Sequence, residues 1–348
     1  MTGTACDGLD LAYIVSDGDA KLTLGPSLTI PFADEYRSRL RERVTLRALK
    51  HFMDDDLAKT IANYHAHHIK EFMALNQLEV DAIGFHGQSV WHDPANGVTI
   101  QLGDCQHLAN RLNIPIVGQM RQNDLANGGQ GAPLAPIYHQ ALAAKLVKPV
   151  VFVNIGGLSN LSFIDQFSLI AGDVGTGNAL LDDWMEKHTG IAQDTDGVCA
   201  QKGHVNQSIL NKWLDDPFFS LPLPKSLDRM YFYQCLDDCQ KLSVEDGAAT
   251  LTSFAAQGIL RHLRFLPEMS KQLVVCGGGC HNPVLMAELG QGFKNVLAVH
   301  DLGFNPDVIE AQLIAYLAAR FFAKLPSSFP STTGVREPTI AGQLFLPE

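Results

Sequence analysis

The sequence predicts an α/β protein built from two domains. Three observations carry this expectation. Short apolar runs of strand composition alternate with longer stretches of helical periodicity along the chain. Glycine-rich turns follow directly on strands at several widely separated places. The 348 residues, 46% hydrophobic and 18% charged, have ordinary globular composition and suffice for two cores.

The elements follow in order. Leu11 to Val15 and Leu22 to Pro31 read as strands. Asp34 to Phe52 and Asp54 to Leu75 read as helices, the second on the spacing of Leu57, Ile61, Tyr64 and His68. Asp81 to Phe85 is a buried strand running into His86-Gly87-Gln88, and Val98 to Leu102 and Ile114 to Val117 are strands around a helix over Cys105 to Leu112. A glycine-rich stretch, Asn127 to Pro133, leads into a helix ending near Lys148. Pro149 to Asn154 is strongly strand-like and is followed by Gly156 and Gly157; Ser162–Phe163 and Phe167–Ile170 read as hairpin strands. Helices are expected over Gly177 to His188, Ser243 to Leu266, Asn282 to Leu289 and Pro306 to Ala323, with strands at Gln272 to Cys276 and Val296 to Val299. Asp194 to Arg229 is turn-rich, and the tail from Pro326 reads as irregular. Met120, Met286 and the Phe321–Phe322 pair read as core, and His92 beside Trp91 as packing. The composition shift near residues 120–130 divides the chain into residues 1–125, with roughly 326–348 returning to them, and residues 126–325.

Lys and Arg number 26 against 37 Asp and Glu, a formal charge of −11, which argues against non-specific binding to nucleic acid or to an anionic membrane. The first residues have neither a basic nor an apolar signal region, and no uninterrupted run of 18 apolar residues occurs, so a cytoplasmic protein without a membrane span is expected. The seven cysteines read as reduced thiols. The i,i+4 pairs Cys235/Cys239 and Cys276/Cys280 lack the flanking ligands of a structural zinc site.

Three loops can carry chemistry. In Leu169 to Asn178 an apolar strand delivers Asp173, and the small residues Gly175 and Gly177 lead through Asn178 into a helix. Such a turn exposes backbone N–H groups to phosphate oxygens, and the carboxylate can orient an attacking oxygen or a hydrated Mg²⁺. The segment reads equally well as an ordinary glycine turn with an Asp cap. Met1 to Asp10 interleaves hydroxyl and N–H donors (Gly3, Thr4, Gly8) with Asp7, a carboxylate able to reach a metal. In Leu273 to Pro283 a buried strand meets Gly277, Gly278 and Gly279 ahead of a helix that starts at Asn282, and glycines let a flat purine or ribose lie against backbone. Three such turns are the pattern of a fold that grips a nucleotide from two sides, and not of a single Rossmann unit.

The three loops resemble the two phosphate loops and the adenosine loop of the actin/hexokinase/Hsp70 type of ATPase, a two-domain actin-like (ribonuclease H-like) α/β fold with an interdomain cleft. More closely, the chain resembles the anhydro-N-acetylmuramic acid kinase family. The resemblance runs nearly end to end: GTACDGLD at 3–10, GFHGQSVWHDP at 84–94, QLGD at 101–104, RQNDLANGGQGAPLAP at 121–136, NIGGLSNLS at 154–162, GDVGTGN at 172–178, DPFFSLPLPKS at 216–226, VVCGGGCHNP at 274–283 and the Glu310-Ala311 helix. It implies an ATP- and Mg²⁺-dependent kinase of peptidoglycan recycling that converts the 1,6-anhydro sugar, ATP and water into N-acetylmuramic acid 6-phosphate and ADP. Asp173 is then the general base for water. The residues Gly3, Thr4, Ala5, Cys6, Asp7, Gly8, Leu9, Asp10, Gly156, Gly157, Gly175, Gly177, Asn178, Gly277, Gly278, Gly279 and Asn282 line the nucleotide, with Asp7 toward Mg²⁺. His86, Gln88 and Ser89 face the sugar, and Glu310 reaches it. Arg121 either pairs with the sugar's lactyl carboxylate or makes a surface ion pair. The resemblance also implies a homodimer.

The chain departs from the family pattern in places. The family has an apolar strand ahead of the first loop, and this sequence begins at the loop, so the first strand of domain 1 is expected to be missing. Val174 and Thr176 stand where the pattern has Thr and Pro, Ala5-Cys6 for Ser-Leu, Gln119 for Asp, and Leu227-Asp228 for Thr-Gly. Two other readings compete with the enzyme: a catalytically degenerate protein of the same fold that binds sugar or nucleotide, and a kinase of the same fold for another sugar.

Overall fold

The computed structural model describes residues 1–2, 6, 8–45 and 55–348. Its strands are β1 Gly8–Ser16, β2 Leu22–Pro31, β3 Ile83–Gly84, β4 Gln88–Asp93, β5 Val98–Leu102, β6 Ile116–Gly118, β7 Val150–Ile155, β8 Leu158–Ile164, β9 Leu169–Thr176, β10 Gln272–Cys276, β11 Val296–Ala298 and β12 Gln343–Phe345. Its α-helices are α1 Asp34–Thr45, α2 Asp55–Asn76, α3 Cys105–Leu112, α4 Gln122–Ala126, α5 Pro136–Leu142, α6 Ala179–Thr189, α7 Gln207–Leu214, α8 Cys235–Asp238, α9 Val244–His262, α10 Pro283–Gly292, α11 Ile309–Phe322 and α12 Pro330–Thr333. No helix among the described residues is long and apolar enough to cross a membrane.

The chain divides into two compact units, Met1–Ala141 with Asp307–Glu348, and Leu142–Pro306. The sequence reading set the divide at residues 125 and 326. α11 packs on β1 and β3, so this helix belongs to the first unit.

In the first unit β6 lies between β12 and β3, parallel to β3 and antiparallel to β12. Two hairpins, β1–β2 and β4–β5, complete its strands. Leu9, Leu57, Ile61, Phe72, Phe85, Leu108 and Ile116 build one core between strands and helices. β12 corrects the reading of the tail as irregular: Gln343–Phe345 takes strand form by pairing with Ile116–Gly118. Phe322, read as core, is half exposed at the end of α11.

The second unit is a five-stranded sheet in the order β11-β10-β7-β8-β9. β7, β8 and β9 form an antiparallel meander, and β10 and β11 run parallel to β7. Val150 to Val153 are buried without exception, as expected of a central strand covered on both faces. Ala255, Ala256 and Ile259 of α9 and Leu285 and Leu289 of α10 pack on Val151, Val153, Leu273 and Val275 of the sheet. A second cluster joins α6, α7 and α9 to Phe218, Phe219 and Phe232.

Candidate active site

The second unit gathers its glycine turns at the ends of β7, β9 and β10. β7 and β10 run parallel with Asn154 opposite Cys276, so the turns leaving them emerge side by side. Gly156 and Gly157 are joined to the start of α6 by three backbone hydrogen bonds: Gly177 N–H to Gly157 O at 2.9 Å, Asn178 N–H to Gly156 O at 2.8 Å, and Ala179 N–H to Gly157 O at 3.1 Å. The approach is so close that a Cβ on Gly177 would lie 2.2 Å from Gly156 O. Asn178 reaches the Ile155 carbonyl through its amide nitrogen and makes no side-chain cap, leaving the first turn of α6 uncapped by a side chain. Gly277 turns the chain after β10 at φ +74°, where a Cβ would meet Asn154 Oδ1 at 2.4 Å. Gly278 has space: the first atom a Cβ there would meet is Asn178 Nδ2, at 3.8 Å. Asn282 is the N-cap of α10, its Oδ1 accepting from Val284 N–H at 3.0 Å and Leu285 N–H at 3.2 Å. Its carboxamide oxygen therefore serves the helix.

Asp173 lies on β9 opposite Asn160, half-buried. The pairing then slips: Gly175 faces Ser159, so Val174 is an extra residue in β9. Such a bulge re-aims the side chains beside it, and Gly175, at φ +146°, takes a backbone that favours glycine. The main chain around Lys225 runs along this part of β9. Asp173 N–H donates to Lys225 O at 2.8 Å, and Leu227 N–H donates to Asp173 Oδ2 at 2.7 Å. Burial pushes the Lys225 ammonium down from 10.5 to about 8, against the opposing attraction of Asp173. Lys225 Nζ donates to Phe218 O and to Leu221 O (2.7 Å) and stands 3.9 Å above the Phe218 ring centroid. The sequence reading gave Lys225 no role. Its only signal was its place at the end of the Pro-rich stretch 216–226.

In the first unit His86, Gln88, Ser89 and Arg121 come together. Arg121 Nε donates to His86 Nε2 at 3.1 Å and Arg121 Nη1 to Gly131 O at 2.7 Å. His86 must then be neutral with its proton on Nδ1, which lies 3.0 Å from Gly87 O. Burial, reinforced by the guanidinium, pulls its pKa down to about 3. Arg121 is thus a buried-histidine partner and not merely a surface ion pair. Gln88 is fully buried at the start of β4, and Ser89 Oγ accepts from Gln101 Nε2 at 3.3 Å. Asp124, also missed by the sequence reading, shapes the adjacent glycine loop: it accepts from Gly131 N–H and from the Thr333 hydroxyl, both at 2.6 Å. Glu310 stands exposed in the first turn of α11.

Of the first loop, Gly3, Thr4, Ala5 and Asp7 lie outside the described residues, and with Asp7 the expected Mg²⁺ ligand. Cys6 and Leu9 are fully buried core side chains, which leaves only their backbone to face a ligand. Gly8 opens β1, and Asp10 Oδ1 accepts from Thr29 Oγ1 at 2.7 Å. The described residues that group as metal ligands, His67, His68 and Glu71, lie instead on α2.

A meander of three strands extended by two parallel ones, with glycine turns at the strand ends and Asp173 on the edge strand, makes up this unit. The family model for anhydro-N-acetylmuramic acid kinase matches residues 1–347. Curated relatives of that name include those of Gluconobacter oxydans, 42% identical over 99% of this chain and 98% of the relative, and Acidiphilium cryptum, 41% identical over 100% and 97%. The chain belongs to the anhydro-N-acetylmuramic acid kinase family, and it is an ATP-dependent phosphotransferase of that kind. Among solved structures it is similar to a ROK family glucokinase from Streptomyces griseus in complex with glucose and AMPPNP (12% identity, 89% of this chain and 95% of that one, TM-score 0.40). A second is the ethanolamine utilization protein EutJ from Carboxydothermus hydrogenoformans (12% identity, 90% and 86%, TM-score 0.42).

Proposed function

We propose that this kinase couples opening of the 1,6-anhydro bridge to phosphorylation, with Asp173 as the general base. The observation that carries this is the Asp173 carboxylate itself. It stands on a bulged strand beside the glycine turns, with one oxygen fixed by Leu227 N–H and the buried Lys225 ammonium nearby. The Leu227 N–H orients the carboxylate, which takes a proton from water in this reading. That water adds to the anomeric carbon as the C1–O6 bond breaks, and O6 takes the γ-phosphoryl group from ATP, giving the 6-phosphate and ADP. The glycines at 156, 157, 175 and 177 let phosphate approach the backbone closely, and Gly277 to Gly279 give a flat bed for the adenosine. His86, Gln88, Ser89 and Arg121 recognise the sugar, with the guanidinium directed at its carboxylate. Glu310 is assigned to the sugar on the family resemblance alone. Mg²⁺ supplies charge neutralisation on the transferring phosphate when bound, and Asp7 is its assigned ligand. The protein works in the cytoplasm as a homodimer, on a sugar and ATP and not on nucleic acid.

The test is turnover of the anhydro-sugar with ATP by the native protein and by Asp173→Asn. The substitution is expected to lower kcat by at least about 10²-fold with KM for ATP little changed. Undiminished turnover by the variant would remove Asp173 as the base. No turnover by the folded native protein would favour a binding protein of the same fold.

A further inference from the structure

The carboxyl ends of β7, β10 and β11 leave the sheet of the second unit on one side, because the three strands run parallel. Ligands of open α/β sheets lie outside such ends. The glycine turns after β7 and β10 hold two of the three places. The third, after the outermost strand β11, carries His300 in the short 3₁₀ turn Val299–Leu302. His281 closes the neighbouring turn, Gly278–His281, after β10. The proton and phosphate chemistry assigned to Asp173 and the glycine turns uses neither histidine.

Both histidines are exposed, and their rings lie 6.3 Å apart between centroids with planes within 11° of each other. At that separation neither imidazole covers the other's face. Rings directly above one another would leave a gap, and rings in contact at about 3.5 Å would be offset by about 5 Å, more than the width of the ring. Local structure holds both. His281 sits between the Gly277 turn, whose carbonyl accepts Cys280 N–H at 3.1 Å, and the Asn282 cap of α10, whose N–H donates to Gly279 O at 3.1 Å. Asp301 Oδ2 accepts from Ala298 N–H at 2.9 Å, and Asp301 Oδ1 lies 3.8 Å from His300 Nε2, which steers that ring.

We propose that His281 and His300 hold the purine base of the nucleotide by stacking on it. The inference rests on the reading of Gly277 to Gly279 as the adenosine bed and extends that bed outward. With the ribose against those glycines at the end of β10, the base lies one strand farther out, about 4.8 Å away at the end of β11. The two imidazoles stand there. Their near-common plane lets one flat ligand lie parallel to both, and the two fused rings of a purine have the area to cover both. Stacking reads the flatness of a base and not the pattern of groups on its edge, so this pair holds adenine and guanine nucleotides alike.

The experiment is calorimetric titration of the full chain with ADP, which needs no turnover. His281→Leu and His300→Leu remove the flat rings, and His281→Phe and His300→Phe keep them. His204→Ala, at a side chain 96% exposed elsewhere in the second unit, is the control. Each leucine variant is expected to bind ADP about tenfold more weakly, each phenylalanine variant to stay within about threefold of the native Kd, and the control to be unchanged. His300→Trp adds a second readout: its fluorescence, taken as the difference from the native signal of Trp91, Trp184 and Trp213, should be quenched by ADP and by GDP. Native ADP affinity in both leucine variants, equal losses in the leucine and phenylalanine variants, or unquenched fluorescence overturns the proposal while leaving the adenosine bed in place. Absence of ADP binding by the folded native chain removes the bed and the stacking pair together.

Discussion

Replacing Gly177 by alanine tests whether the glycine stitch at the start of α6 is a nucleotide-binding device. The new Cβ would lie 2.2 Å from the Gly156 carbonyl oxygen, a backbone atom that cannot rotate away. Relieving the clash requires the two turns to separate by about 1 Å, because real Cβ contacts begin near 3 Å. The separation strains three hydrogen bonds, from Gly177, Asn178 and Ala179 to the carbonyls of Gly156 and Gly157. At about 1 kcal/mol each the loss is about 3 kcal/mol if all three break. The thermal midpoint should fall by several degrees. KM for ATP should rise at least about tenfold, which needs 1.4 kcal/mol of the displacement to reach the phosphate donors. Steady-state kinetics at saturating anhydro-sugar with varied ATP, beside thermal unfolding, reads both effects. A lower midpoint with unchanged KM for ATP would make the stitch purely structural and refute its assignment to nucleotide.

Gly290 offers the opposite case. It lies exposed in α10, and an added Cβ would meet nothing within 4 Å. Gly290→Ala should therefore stabilise the protein by about 0.5–1 kcal/mol with unchanged kinetics, measured by urea unfolding and turnover. Acid should weaken the first unit. Burial holds His65, His86 and His139 near pKa 3, against 6.5 in the unfolded chain. The unfolded state then binds more protons below pH 6.5, so the stability these neutral rings support is full above 6.5 and lost as pH falls toward 3. At pH 5 each costs about 2 kcal/mol. Urea unfolding at pH 7 and pH 5 should show the decline, and a flat profile would overturn it.

The parts of the fold legible in the sequence were those whose pattern is local. Val150 to Val153 announced a central strand because four consecutive apolar residues suit burial on both faces. The glycine turns after β7 and β10 were visible for the same reason, a strand ending in glycine being a local event, whereas Gly172 to Thr176, read as a turn, continues β9 by pairing with β8. What was hidden depends on partners distant in sequence. Gln343–Phe345 is a strand only because Ile116–Gly118 lies beside it, and β4 only because β5 does. Lys225 matters through its backbone, which runs along β9 and brings Leu227 N–H to Asp173, and no spacing rule connects those positions. Cys6 and Leu9 lie within a loop of ligand-facing chemistry, yet their side chains turn into the core. Arg121 left two readings open, and the contact of its Nε with a buried histidine belongs to neither.

The departures from the family pattern can be judged on the same footing. Val174 is fully buried in the core beneath the sheet, and Thr176 is nearly so, its hydroxyl 3.4 Å from the Gly177 carbonyl. Cys6 is in the other core, and Leu227 serves Asp173 through its main chain. At these described positions the changed side chains pack or turn inward, while the contacts offered to Asp173 and to the glycine turns come from backbone. On that reasoning Val174→Thr, which restores the family's residue, should not improve catalysis. It inserts a hydroxyl into a dry core and should cost about 1–3 kcal/mol of stability. Its kcat/KM, measured below the variant's unfolding temperature, should stay within about threefold of the native value. A large gain in kcat with undiminished stability would mean that position 174 acts on the reacting atoms, and that the departures weaken the site itself.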